Sequence, residues 1–525
     1  MHTFRAVKKP RSTPTIHKRR QLPPHSTGES ETFPQPAIRP HAVAAALPEL
    51  HALIAATLKK TGVPGAAVAV VHQDRMIYAK GFGRRERGTP ARVDPETVFQ
   101  LASLSKPLAS TVIAGLVSDK IVTWDDRLVD HSPDFRMHDA SVTASLTIRD
   151  MCSHRSGLPE HAGDLLEDMG YGREEILRRL RHIPTNNLFR SQYAYTNFGL
   201  TAGAVAAANA AGRSWEALSS ERLYKKLGMH ATSSRLADFL AQTNHARGHV
   251  LIDGRWTARY QRTPDAQAPA GGASSTVTDM ARWMRLHLNR GIYNGRPLIA
   301  DKALAETYRP HMVNTPSQPI DARYGFYGLG WNVNYDELGR VTLGHSGAFE
   351  LGAATAVALL PAEQLGIVVL TNSQPIGVPE ALAKSFFELV TYGRVTQDWL
   401  ARFRPIFEEM AQDGHSPIDY AARLPAPVHA LAHTCYAGRY LNDLYGPLDS
   451  LRRGRALTMR QGLTPTEFSL THYNHNTFYY ATTGENAVGL SGVTFTIGAT
   501  GAAIHVTVEN LDREGLGTFT RTASR

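Results

Sequence analysis

The strongest constraint on this chain is that strand-like sequence stands at both ends of one long segment with helical sequence between. Residues 65–72 (GAAVAVVH) and 75–83 (RMIYAKGFG) flank a two-residue turn, the pattern of a hairpin. Strand-like runs return at 329–335, 340–345, 353–360 and 366–371. From about 99 to 310 the pattern is mixed and mainly helical, and amphipathic helices are expected over 43–60 and 379–390. Buried strands must pair their backbone groups, so the two ends should meet in one sheet. The expectation is an α/β domain over 41–400, with a mainly antiparallel sheet flanked by helices and an all-helical region inserted between its strands.

The flanking segments differ in character. Residues 1–40 hold eight basic side chains, two acidic ones and seven prolines, so 8 − 2 = +6 of the net +10 lies there. With no apolar period, this reads as a disordered basic arm. The body is then nearly balanced in charge, so no nucleic-acid partner is expected. Residues 401–430 are helical and then Pro-containing, which suggests a linker. Over 431–525, short turn-bounded runs at 435–442, 457–460, 466–472, 477–481, 493–497, 504–508 and 517–522 predict a smaller all-β antiparallel barrel domain. Two cysteines, Cys152 and Cys435, exclude a disulfide framework or a Cys-rich zinc site. No run of 18 apolar residues occurs, so no membrane span is expected. The start of the chain has no apolar signal-peptide core, which favours the cytoplasm.

Three segments carry chemistry. Ser103 and Lys106 form S-x-x-K at the start of an apolar helical run, with both side chains on one face. A desolvated lysine near a helix N-terminus has a lowered pKa and can take the proton of a serine hydroxyl. A helix cap with a surface lysine would also explain the pair alone. Tyr195 and Asn197 form Y-x-N before a small-residue helix. The tyrosine could act as general acid or base, and the asparagine amide could both accept from a lysine and donate to a substrate carbonyl. A core tyrosine and a turn asparagine are the plainer alternative. Gly344-His345-Ser346-Gly347-Ala348 lies where one predicted strand ends and another follows, so a ligand could approach the strand edge at glycine. There a backbone N–H could join that of Ser103 in an oxyanion hole.

Together, in this order, S-x-x-K, Y-x-N and (K/H)-x-G resemble the serine β-lactamase-like superfamily: class C β-lactamases, D,D-carboxypeptidases, D-aminopeptidases and related esterases. Ser153 to Pro159 (SHRSGLP), Pro269 to Ser275 (PAGGASS), Tyr327 to Trp331 (YGLGW) and the segments around 359–361 and 370–372 resemble further family segments, and the likeness covers about 45–395. The last 95 residues resemble the lipocalin-like barrel appended to some of these hydrolases.

The resemblance implies Ser103 as acylated nucleophile, Lys106 as its activator and Tyr195 as proton relay. Asn197 would orient Lys106 and the substrate amide. His345 and Gly347 would form the third motif, and the N–H groups of Ala348 and Ser103 would hold the oxyanion. It implies a small-molecule or peptide substrate and no metal or organic cofactor. Homo-oligomers and export occur among such proteins, so the resemblance leaves assembly and localisation open. His345 stands where class C β-lactamases have lysine, and histidine is only partly cationic near neutral pH. That favours peptidase, amidase or esterase chemistry. A β-lactamase and a penicillin-binding sensor that acylates but turns over slowly are the alternatives.

Overall fold

A computed structural model of the chain describes residues 38–185, 189–315, 319 and 322–523. The arm expected over 1–40 lies outside these residues except for its last three, and Pro40 already opens a helix. The longer helices are α1 (Pro40–Thr61), α2 (Ser105–Ser118), α3 (Asn197–Ala210), α4 (Val277–Leu288), α5 (Val378–Tyr392) and α6 (Trp399–Gln412). The main sheet holds β1 (Gly65–His72), β2 (Arg75–Gly83), β3 (Met312–Val313), β4 (Phe326–Tyr327), β5 (Asn332–Tyr335), β6 (Val341–Phe349), β7 (Ala353–Leu360) and β8 (Leu365–Thr371). Its order is β2-β1-β8-β7-β6-β5-β4-β3, with every neighbouring pair antiparallel.

The N-terminal hairpin therefore joins the late strands through β1 and β8, with Ala66 opposite Thr371. Both strands are buried along their whole length. Side chains alternate across a strand. Val68 and Val70 accordingly join one apolar core with α1 and α5, while Ala67, Ala69 and Val71 join the other with α2 and α4. A sheet covered on both faces needs apolar residues at every position, which is why these strands read as continuous runs. Among the described residues, only α1 is long and apolar enough to cross a membrane. Its row Val43, Ala46, Leu50 and Ile54 is committed to the core shared with α5.

Two boundaries in the sheet differ from expectation, and both shape the site. The strand expected over 329–335 starts only at Asn332, because Gly330 turns the chain with φ +81°. The strand expected to end at 345 runs on to Phe349. Its neighbour β5 pairs with it only as far as Gly344. Residues 345–349 of β6 thus have no strand beyond them on that side, and the turn carrying Ser103 packs there.

The C-terminal part is a closed eight-stranded barrel: β9 (Gly438–Asn442), β10 (Gly446–Arg453), β11 (Ala456–Gln461), β12 (Glu467–Asn474), β13 (Thr477–Ala481), β14 (Leu490–Ile497), β15 (Ala503–Val508) and β16 (Thr518–Arg521). Seven strands were legible. The eighth, β10, was hidden because its buried positions are Gly446, Leu448 and Ser450, which give no apolar alternation. Tyr436, Tyr440, Phe478, Phe495 and Phe519 are buried in the core that fills the barrel. The barrel shares one continuous apolar core with the main domain. The join is tied by Tyr171 Oη donating to Tyr445 O (3.0 Å) and Leu463 N donating to Met169 O (2.9 Å).

Candidate active site

Ser103 sits one step before the long helix, in the 3-10 turn Ala102–Leu104 that runs into α2. Ala102 has φ +48°, a conformation that costs a non-glycine residue energy and is kept only where the surroundings enforce it. Several hydrogen bonds hold this turn. Ser105 Oγ donates to Ala102 O (2.7 Å), and Leu101 N donates to Ala273 O (2.8 Å). A Cβ built on Gly347 would lie 2.3 Å from Leu101 O and 3.0 Å from Ser103 N. Only glycine lets β6 approach the Ser103 turn this closely.

Lys106, in the first turn of α2, is fully buried. Its Nζ lies 3.0 Å from Ser103 Oγ, 2.7 Å from Asn197 Oδ1 and 3.0 Å from Ala270 O. Burial pulls its pKa down to about 7, and the charge of Asp164 works in the opposite direction. A neutral amine has two N–H donors and one lone pair. Asn197 Oδ1 and Ala270 O can only accept, so they take the two donors. The lone pair is then left for the Ser103 hydroxyl proton. The Pro269-to-Ser275 segment, matched in the sequence without a role, supplies Ala270 O to this arrangement.

Tyr195 Oη donates to Ser103 Oγ (2.8 Å), and Lys106 Nζ lies 4.5 Å from the centre of its ring. Burial raises the phenol pKa, and the hydrogen bond with Ser103 offsets this only in part. Tyr195 is therefore a protonated phenol at rest. A base role would need the phenolate, and the site favours the neutral form. Thr196 and Asn197 follow, where α3 begins. The loop is stitched to residues 154–161 by Ala194 N donating to His154 O, Thr196 N to His154 Nδ1 and His161 N to Tyr195 O, at 2.9, 3.2 and 2.8 Å.

His345 departs from expectation in its charge. It is buried, and burial together with the charge of Lys106 lowers its pKa to about 3. It is a neutral imidazole rather than a partly cationic one. The hydrogen bonds fix its tautomer. Ser346 O can only accept, so His345 Nδ1–H donates to it (2.6 Å). His345 Nε2 then accepts from Tyr327 Oη (3.0 Å). On the far side, His154 Nδ1 accepts from Thr196 N, so His154 Nε2–H donates to Tyr327 Oη (3.3 Å). His154, Tyr327 and His345 thus form a directed chain in which both rings are neutral. Burial, with the charge of Lys106, likewise holds His154 well below the ordinary histidine range.

Ser103, Tyr195, Asn197, His345 and Ala348 all line one cleft of about 670 Å³, with Lys106 beneath it and Gly347 at its edge. The cleft is walled by the barrel as well as the main domain, through Gly484 to Val488, Leu511 and Leu516, and by Phe407 and Met410 of α6. Its two arginines are engaged by acids: Arg262 with Glu167 and Glu485, and Arg513 with Asp413. The geometry unites every residue expected from the three motifs. It adds Asp164, His154, Tyr327 and Ala270, whose side chains or carbonyl groups meet the motifs only through the fold.

Comparisons with known proteins agree with this architecture. The family model described as Beta-lactamase matches residues 50–386. A hydrolase of unguisins, ungD from Aspergillus violaceofuscus, is 26% identical over 430 residues, covering 75% of this chain and 74% of that protein. The D-alanyl-D-alanine-carboxypeptidase/endopeptidase AmpH of Escherichia coli is 24% identical over 336 residues, covering 63% of this chain and 85% of that protein. The octameric penicillin-binding protein homologue from Pyrococcus abyssi superposes with a TM-score of 0.57 at 18% identity, over 88% of this chain and 98% of that one. The match over most of the length shows that this chain belongs to the beta-lactamase family of serine hydrolases, here with a closed C-terminal barrel.

Proposed function

We propose that the protein hydrolyses a small amide or ester, of peptidase or esterase type, through an acyl-Ser103 intermediate. The observation that carries this reading is the convergence of Lys106 Nζ and Tyr195 Oη on Ser103 Oγ, at 3.0 and 2.8 Å. Neutral Lys106 takes the hydroxyl proton as Ser103 Oγ bonds to the substrate carbonyl carbon. The backbone N–H groups of Ser103 and Ala348 stabilise the oxyanion. Tyr195 gives its proton to the leaving amine or alkoxide, and Lys106 restores it. Water then attacks the acyl-enzyme along the reverse path, and the acid product leaves.

The neutral His345 supports peptidase or esterase substrates over lactams that present a carboxylate. A fixed cation is what a carboxylate needs, and burial denies His345 that charge. The pairing of both cleft arginines with acids works in the same direction. A peptide bond also fits the AmpH relative, a carboxypeptidase/endopeptidase. The barrel wall bounds the length of substrate that fits. A panel of a p-nitrophenyl ester, a chromogenic cephalosporin, and D- and L-aminoacyl anilides, ranked by kcat/KM, tests the reading. The ester and anilides are expected to outrank the cephalosporin, and the reverse order would sink it. A persistent adduct without turnover would instead favour the sensor.

A further inference from the structure

The hydrogen-bond chain behind Lys106 continues past Asn197 to a residue outside the three motifs. Asp164 opens the short helix Asp164–Asp168, directly after Gly163, and is 4% exposed. Its Oδ2 accepts from Asn197 Nδ2 (2.7 Å) and lies 3.0 Å from His161 Nδ1. A carboxylate can only accept. The Asn197 amide must therefore turn its NH2 to Asp164 and its oxygen to Lys106. If the amide were flipped, its NH2 would face the amine donors and push one of them toward Ser103, occupying the direction the lone pair needs.

We propose that Asp164 is a positioning residue: it locks the orientation of Asn197 and so keeps the Lys106 lone pair aimed at the Ser103 hydroxyl. This rests on the reading of Ser103 as nucleophile. Asp164 acts through its charge as well. Several groups face Lys106: Asp164 from its short helix, Tyr195 from the loop before α3, His154 and His161 from the 154–161 segment, and His345 from β6. Of these, Asp164 is the one that raises Lys106. Its other oxygen, Oδ1, is buried without a partner among the described residues, and Asp164 lines the cleft. An asparagine at this position can therefore keep an acceptor on Asn197 and turn its NH2 to that vacant side.

Two variants separate geometry from charge. Asp164→Ala frees the Asn197 amide, and kcat is expected to fall about 100-fold, with folding checked by circular dichroism. Asp164→Asn keeps an acceptor but removes the charge. It is expected to retain more kcat than the alanine variant and to move the acid limb of kcat/KM down by about one pH unit. Hydrolysis of a p-nitrophenyl ester across pH, alongside fluorophosphonate labelling of Ser103, reads both effects. A wild type labelled at Ser103, with both Asp164 variants matching each other in kcat and the wild type in acid limb, would overturn the proposal. A wild type never labelled at Ser103 would overturn the nucleophile assignment first, and this inference with it.

Discussion

Charge beside Ser103 follows from burial. In the proposed reaction Lys106 must lose its proton to accept that of Ser103, and its pKa of about 7 means the active form is gained as pH rises through that value. The acid limb of kcat/KM is therefore expected near pH 7. Since His345 is already neutral there, His345→Gln should leave that limb in place, whereas a shift would show that His345 carries charge after all. Lys106→Ala and Tyr195→Phe should each slow acylation by about 10² to 10⁴-fold, measured as burst rate with an activated ester. Unchanged bursts would contradict their roles. Ser103, Lys106, Tyr195 and Asn197 were legible in the sequence because short spacing puts each pair on one turn. Asp164 was not, since its partner Asn197 lies 33 residues away and no spacing rule links a carboxylate to it; Tyr327 lay inside a matched segment, but its bond to His345, 18 residues on, was not legible. His154 lay inside a matched segment, but its role as a link between Thr196 and Tyr327 exists only in three dimensions.

The elements that hold these side chains are a strained turn and one strand edge. The Ser103 turn approaches β6 where β5 has stopped pairing, and Gly347 is the contact between them. Gly347→Ala would drive a methyl group toward Leu101 O and Thr355 Oγ1, each 2.3 Å from the new carbon. The expected result is a loss of about 2 kcal/mol of stability and a large loss of kcat, read by thermal melting and ester hydrolysis. An alanine variant with wild-type activity would show that the turn and strand have slack. Long strands buried on both faces, such as β1 and β8, were plain in the sequence. The two-residue strands β3 and β4 were not, because two residues carry no period. β6 was read too short because glycine and small polar residues interrupt its apolar pattern at 344–348, where the chemistry sits.

At the scale of the whole molecule, the barrel is part of the cleft rather than an appendage. Its 484–488 segment reaches the main domain, where Asp168 accepts from the backbone N–H groups of Glu485 and Asn486 (3.1 and 2.9 Å). The Glu485 carboxylate accepts from Glu350 N (2.8 Å) and Leu351 N (3.3 Å) at the end of β6. Burial raises the Glu485 pKa to about 8 from an ordinary 4.5, although Arg262 pulls the other way. The folded state thus keeps a proton that the unfolded chain releases. The stability from this group is full below the ordinary value and is lost as pH rises through about 8. Tm is expected to fall between about pH 5 and 8.5, with a flatter slope in Glu485→Gln; parallel slopes would remove Glu485 from the account. A barrel at the end of the chain was legible from its short strands, but the residues that seat it against the cleft were not, because the shared apolar core and the hydrogen bonds that join them follow no sequence period. The proposed reaction requires that Ser103 become acylated. Intact-protein and peptide mass spectrometry after a brief reaction with a fluorophosphonate or an activated ester tests it most directly. One adduct on the peptide containing Ser103, absent in Ser103→Ala, is expected; an adduct elsewhere, with Ser103→Ala fully active, would contradict it.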